Sequence, residues 1–135
     1  MTHFSLVDYS QAICPDHAAK AICVSSRKKL QDVLNCRGYG TPGFVDLVSS
    51  EGDCLSIGVG GPLSCLMFTK ASGDQKYLWA RGSSDDDENV IEFERGGTPT
   101  PIPLSYCLPL PKVIEIADYY FLNQHLPENV EWEEY

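Results

Sequence analysis

The sequence predicts an α+β domain: an antiparallel meander sheet, with a short helix in the N-terminal half and a longer C-terminal helix packed on it. Three observations lead there. Between positions 44 and 94, short runs alternate apolar and polar residues with a period of two and are separated by turn residues. After position 109, Val113, Ile116, Ala117, Tyr120 and Phe121 recur at helical spacing. Across all 135 residues there is no repeat, no low-complexity tract and no linker, so a single domain spans 1–135.

Taken in order, His3 to Tyr9 reads as a first strand and Ser10 to Ala19 as a loop. Lys20 to Val24 is a short apolar strand. Ser25 or Ser26 then caps a helix, because a serine oxygen accepts an orphan N–H of the first turn. Leu30, Val33 and Leu34 form its buried face, and Gly38, Gly40 and Pro42 end it. Phe44 to Val48 and Cys54 to Val59 are strands joined by the turn Glu51-Gly52-Asp53. Gly60-Gly61-Pro62 makes a tight connection to Leu63 to Thr69, which pairs back as a hairpin. Ser72-Gly73-Asp74 is a turn and Tyr77 to Ala80 a strand. Gly82 to Asn89 is a polar loop, and Val90 to Glu94 a strand ended by Arg95-Gly96-Gly97. Thr98 to Pro103, TPTPIP, lacks too many N–H groups for a central strand and is extended at an edge or outside the sheet.

Pro109 and Pro111 sit where a helix can begin, since the first turn has no acceptor for the N–H they lack. Lys112, Glu115, Asp118 and Tyr119 lie on its outer side, and His125 and Pro127 mark its exit. Asn129 to Glu134 is a short strand or extended tail, with Val130 and Trp132 inward and Glu131 and Glu133 outward. Burying a tryptophan yields about 3 kcal/mol, so this end of the chain is docked. Trp79, Tyr119, Tyr120 and Trp132 are candidate interface anchors, although such residues are more often core. Tyr120 belongs to the core and Trp132 is mainly structural, whereas Tyr119 is exposed.

Composition bounds the function. Hydrophobic content of 43% and charged content of 21% are globular values, and no apolar run is long enough to span a membrane. The start, MTHFSLVDYSQ, has no basic region followed by an apolar core, so a cytoplasmic location is expected. Six cysteines lie mostly inside apolar runs, which suits buried free thiols better than bridges. A net charge of −9 argues against direct nucleic-acid binding and against an anionic membrane surface. It suits a basic protein partner, whose encounter opposite charge would speed.

The candidate chemical motifs are weak. Gly58-Val59-Gly60-Gly61 is followed by Pro62 and a strand, not by the helix a phosphate cradle requires. Asp85-Asp86-Asp87-Glu88 are consecutive, and consecutive carboxylates cannot all turn toward one calcium ion. His3, His17 and His125 are scattered and no Cys-x-x-Cys exists, so no zinc site is expected. No nucleophile motif surrounds Ser64-Cys65 or Ser105-Tyr106-Cys107, and the zinc-deaminase pattern is missing. No enzyme, cofactor or metal is therefore expected.

The run YLWARGSSDDDENVIEFERGG, then PIPLSY, then LPLPKVIEIADYYFLNQHLPENVEWEEY resembles the Imm1 family of bacterial immunity proteins, as does CLSIGVGG followed by PLSCLMF. The resemblance covers about two thirds of the chain. It implies a small α+β protein, encoded beside a secreted toxin, that binds and silences that toxin; one branch of the family neutralises a nucleic-acid deaminase. The expected function is inhibition of a basic, nucleic-acid-acting toxin by occlusion of its substrate-binding face. Charge and expected exposure nominate the contact residues: Asp85, Asp86, Asp87, Glu88, Glu92, Glu94, Tyr119, Glu131, Glu133 and Glu134. The rival expectations are a small enzyme or ligand-binding protein with an apolar pocket beneath the Gly60 turn, and a scaffold that oligomerises through a strand edge.

Overall fold

The computed structural model describes residues 4–8, 20–37, 42–71, 77–95 and 98–134. Its elements are β1 (Phe4–Asp8), β2 (Lys20–Val24), α1 (Arg27–Arg37), β3 (Gly43–Ser49), β4 (Cys54–Val59), β5 (Ser64–Thr69), β6 (Tyr77–Ala80), β7 (Val90–Arg95), β8 (Thr98–Pro103), β9 (Cys107–Leu108), α2 (Leu110–Asn123) and β10 (Trp132–Glu134). A single 3-10 turn, Leu104–Tyr106, joins β8 to β9. The expected α+β meander is present: β3, β4, β5 and β6 pair antiparallel in sequence order, and β10 closes on β6. On the other side β1 lies between β3 and β2. The expectations for His17, Cys14, Gly38, Gly40, Ser72 to Asp74 and Gly96-Gly97 fall outside the described residues.

The period-two pattern sorts the sheet into two faces. Val45, Leu47, Leu55, Ile57, Val59, Leu66 and Phe68 turn toward the helices and form the main core with Leu30, Leu34, Val113, Ile116, Ala117 and Tyr120. Ser26 caps α1, its Oγ accepting the Lys29 N–H at 3.2 Å. α2 starts after an extended Pro109, and ends at Gln124, whose φ of 61° is left-handed and whose N–H returns to the Tyr120 carbonyl at 2.8 Å. Trp132 docks the tail: its indole N–H reaches the Pro127 carbonyl at 3.2 Å.

Asp118 is not on an open face. It is 8% exposed, because α1 packs across that side of α2 and Arg27 holds the carboxylate with two nitrogens. Tyr119 is half-buried, edge-on to His125 at 5.4 Å between ring centroids. The thiols also divide: Cys65 and Cys107 are buried, Cys54 is half-buried, but Cys23 is exposed, since β2 is an edge strand and its side chain points away from the core.

The second face of the sheet is also covered, which the sequence pattern does not announce. β7 and β8 form a hairpin that touches β3 through a parallel bridge at Gly43 and lays Phe93 onto the sheet. Phe93, Phe44, Cys65, Ile102 and Cys107 make a smaller core there. Gly58 makes this approach possible: a Cβ at that position would stand 2.5 Å from Cys65 Sγ and 2.9 Å from the Phe93 ring. Beneath the same hairpin, Asp46 is 4% exposed and bound in fork geometry by Arg95, at 2.8 and 3.1 Å.

The prolines of β8 follow a rule. Pro99, Pro101 and Pro103 face Glu94, Glu92 and Val90 across the hairpin. The Glu94 N–H points the other way, to the Pro42 carbonyl, so these are the non-hydrogen-bonded pairs of the ladder. Residues with no N–H therefore occupy the positions where none is needed by β7. In consequence the outer edge of β8 presents carbonyl oxygens and no donors.

Candidate functional site

The nominated acidic residues are carried by the polar loop, β7, and β10 with Glu131 just before it. Arg81 ties the loop to the tail, its N–H donating to the Glu131 carbonyl at 2.9 Å and its guanidinium pairing with Glu133 at 3.0 Å. Glu133 also accepts the Tyr106 hydroxyl at 3.1 Å, and Arg81 lies over the Tyr106 ring at 5.6 Å. Glu92 and Glu94 stand on β7 opposite Pro101 and Pro99. The nearby arginines, Arg81 just after β6 and Arg95 at the end of β7, are each held by a carboxylate of the protein itself.

The loop from Gly82 to Asn89 is fastened rather than free. Gly82 donates to the Ser105 carbonyl at 2.7 Å, Ser105 to the Asp86 carbonyl at 3.0 Å, and Leu104 to the Asn89 carbonyl at 2.9 Å. Asp86 folds inward on its own turn, accepting the Glu88 and Asn89 N–H groups and the Asn89 amide. Those Asn89 and Glu88 donors hold its carboxyl below the usual carboxylate range. Asp87 accepts the hydroxyl of Ser105, which is fully buried. Of the acidic run, then, Asp86 and Asp87 shape the loop, while Asp85 and Glu88 stand exposed without such a role.

Tyr119 stands apart from the acidic cluster. It lines a groove of about 490 Å³ on α2, with Arg27, Leu122 and Asn129. A second groove, about 460 Å³, runs along β8, lined by Trp79, Val90, Pro101, Ile102, Pro103 and Tyr106. Its floor is aromatic: the Trp79 and Tyr106 rings lie 5.7 Å apart. The sequence nominates Trp79 as an anchor but does not single out Val90 and Tyr106. The available signal was the proline at every second position from 99 to 103, which marks a bare edge strand.

The rival expectation put a pocket beneath the Gly60 turn, where the chain packs closely at one point. Gly61 faces Ile91 and Pro42 closely enough that a Cβ would lie 3.3 Å from the isoleucine methyl. Burial pushes the Cys54 thiol up to about 12 and Cys107 to about 11, and it raises Cys65 well above the usual range. In each case burial disfavours the thiolate. Among the described residues no cluster of His, Cys, Asp and Glu is placed to hold a metal ion, and no helix is long and apolar enough to cross a membrane.

The α+β body thus carries a polar loop fastened to the segment after β8, with Asp85 and Glu88 exposed on it. The chain belongs to the Imm1 family: the family model described as Immunity protein Imm1 matches residues 18–134, most of its length. No curated protein matches the chain. Imm1 is a family of immunity proteins, so the role is that of immunity and the partner a cognate toxin.

Proposed function

We propose that the protein binds, without catalysis of its own, a basic secreted toxin that acts on nucleic acid, such as a deaminase or nuclease. It blocks that toxin by covering the substrate-binding face. We place this in the cytoplasm of the cell that makes the toxin. The observation that carries the reading is the fastened acidic face. Asp85, Glu88, Glu92, Glu94, Glu131, Glu133 and Glu134 all project from the polar loop, β7 and β10 or the residue before it. A substrate-binding face built for phosphates is positive, so this surface competes for it by charge alone before any closer fit. Tyr119 stays in the proposed contact set as a separate, peripheral point.

The test is kinetic and uses the inactive toxin encoded beside the gene. Reversing Asp85 and Glu88 to lysine changes charge without touching the carboxylates that shape the loop. Association should slow by about tenfold at low salt and converge toward wild type as salt rises. An association rate indifferent to the double reversal would remove the loop from the interface. Failure of the wild type to protect cells expressing the active toxin would remove the function.

A further inference from the structure

We infer that the groove along β8 is the seat for a basic segment of the toxin, one that inserts an apolar or aromatic side chain beside a lysine or arginine. The inference rests on the immunity reading and names the surface that reading leaves open.

Two independent features point to that occupant. The first is the polarity of the edge. The register turns the Pro99 and Pro101 carbonyls outward, while the Pro103 carbonyl already accepts the Cys107 thiol at 3.5 Å. An edge of acceptors without donors cannot extend the sheet, because an incoming strand needs both. It instead suits groups that only donate, and among side chains those are chiefly the lysine ammonium and the arginine guanidinium. The second is the charge around the groove. Glu92 and Glu94 stand across the ladder from Pro101 and Pro99, and Glu88 lies two positions before Val90, whereas Glu133, which accepts the Tyr106 hydroxyl, is already paired with Arg81. Arg81 and Arg95, the cations nearby, are already paired. An anionic partner would meet repulsion here, and a cation would find both carboxylates and carbonyls.

The groove itself supplies the apolar part of the contact. Val90 is 47% exposed and borders the Trp79–Tyr106 floor. Aromatic floors with an apolar rim take up anchor side chains in interfaces, where a few such residues carry most of the affinity.

The test places a photo-crosslinking phenylalanine analogue at Val90 in the full chain, bound to the inactive toxin encoded by the neighbouring gene. The crosslinked toxin peptide is expected to carry lysine or arginine next to the joined residue. In parallel, Val90→Arg should weaken the complex by about 30-fold or more, the level of an interface anchor. Asn35→Arg, exposed on α1 and outside the proposed contact set, should change it by less than about threefold. Matching melting temperatures for the two variants exclude misfolding, and the crosslink stands even if Val90→Arg folds poorly. A crosslink to a second copy of this chain, or to an acidic or uncharged toxin segment, overturns the inference. So does wild-type affinity in Val90→Arg. In each of those cases protection of cells by the wild type leaves the immunity function intact, whereas a wild type that neither binds nor protects sinks both.

Discussion

Replacing Gly58 by alanine tests whether the hairpin is seated where the acidic face requires it. The added Cβ would lie 2.5 Å from Cys65 Sγ and 2.9 and 3.0 Å from two atoms of the Phe93 ring. Ordinary carbon contacts are about 3.5–4.0 Å, so the overlap is large. Neither neighbour can swing into solvent, since Cys65 and Phe93 are both fully buried. Overpacking of this kind costs about 3 kcal/mol at its upper end. Alanine in a strand recovers up to about 1 kcal/mol of the flexibility penalty of glycine. The net loss is about 2 kcal/mol, which for a chain of this length lowers Tm by about 7 °C. Thermal unfolding followed by circular dichroism reads it directly. The cause is checked by a double substitution: Phe93→Leu shortens the ring that the added methyl would strike. Gly58→Ala combined with Phe93→Leu should therefore lose less than the sum of the single losses, by about 1 kcal/mol. Additive losses, or a Gly58→Ala variant as stable as wild type, would mean that β7 does not press on β4 at this point.

Two further substitutions probe the electrostatics of the same region. Arg95→Ala strips the cation from Asp46 and should cost about 3 kcal/mol in denaturant unfolding at pH 7, because a buried carboxylate is left without its partner. Burial already raises the Asp46 pKa above 3.8, with Arg95 opposing; a raised folded value means that the native state holds the proton more tightly, so stability falls as pH rises from 3.8 through that value. Without Arg95 the rise is larger, and the deficit of the variant should shrink on acidification instead of staying constant. Asp86→Ala removes the acceptor that closes the acidic turn, and amide hydrogen exchange at Glu88 and Asn89 should accelerate by about tenfold, while Asp85→Ala leaves them unchanged. The Asp86 carboxyl is held low, so its contribution is complete above 3.8 and is lost as pH falls through the lowered value; in the wild type the protection of those amides, relative to their intrinsic exchange at each pH, should fall only on acidification.

The main core was legible because alternation in Cys54–Val59 and helical spacing in α2 each identify one buried face without reference to anything distant. Ser26, and Pro109 and Pro111 at the cap and in the first turn of α2, announced the helix starts by local chemistry alone. The second core was not legible. Phe93 and Cys65 are apolar residues on the far side of their strands, and nothing in either strand says that a hairpin folds back over them. Gly58 could be read only as a weak point of β4, since the need for glycine there comes from Phe93, 35 positions later. Asp118 misled for the same reason: helical periodicity put it on the outer side of α2, and it is the packing of α1, with Arg27, that buries it. The acidic run was correctly read as a loop. Its division into shaping and exposed carboxylates depends on Ser105 and Asn89, one of them distant in sequence and neither marked by charge.

The arrangement of charge argues for a partner more strongly than the net value does. A surface that served solubility would intersperse signs, which lowers repulsion within the folded state. Here carboxylates are crowded onto one loop and the adjoining strands, and the local arginines are spent on Asp46 and Glu133. Crowding like charges opposes folding, so the fold must offset it, and the means are visible: Ser105 is buried beneath Asp87, Asp86 is consumed by its own turn, and three backbone bonds bind the loop to the segment after β8. Each of these also removes conformational freedom that an incoming protein would otherwise have to suppress. Under the proposed function, a loop fixed in advance, carrying exposed charge beside an apolar groove, would give up some folded-state stability in exchange for faster and tighter capture of a positively charged surface.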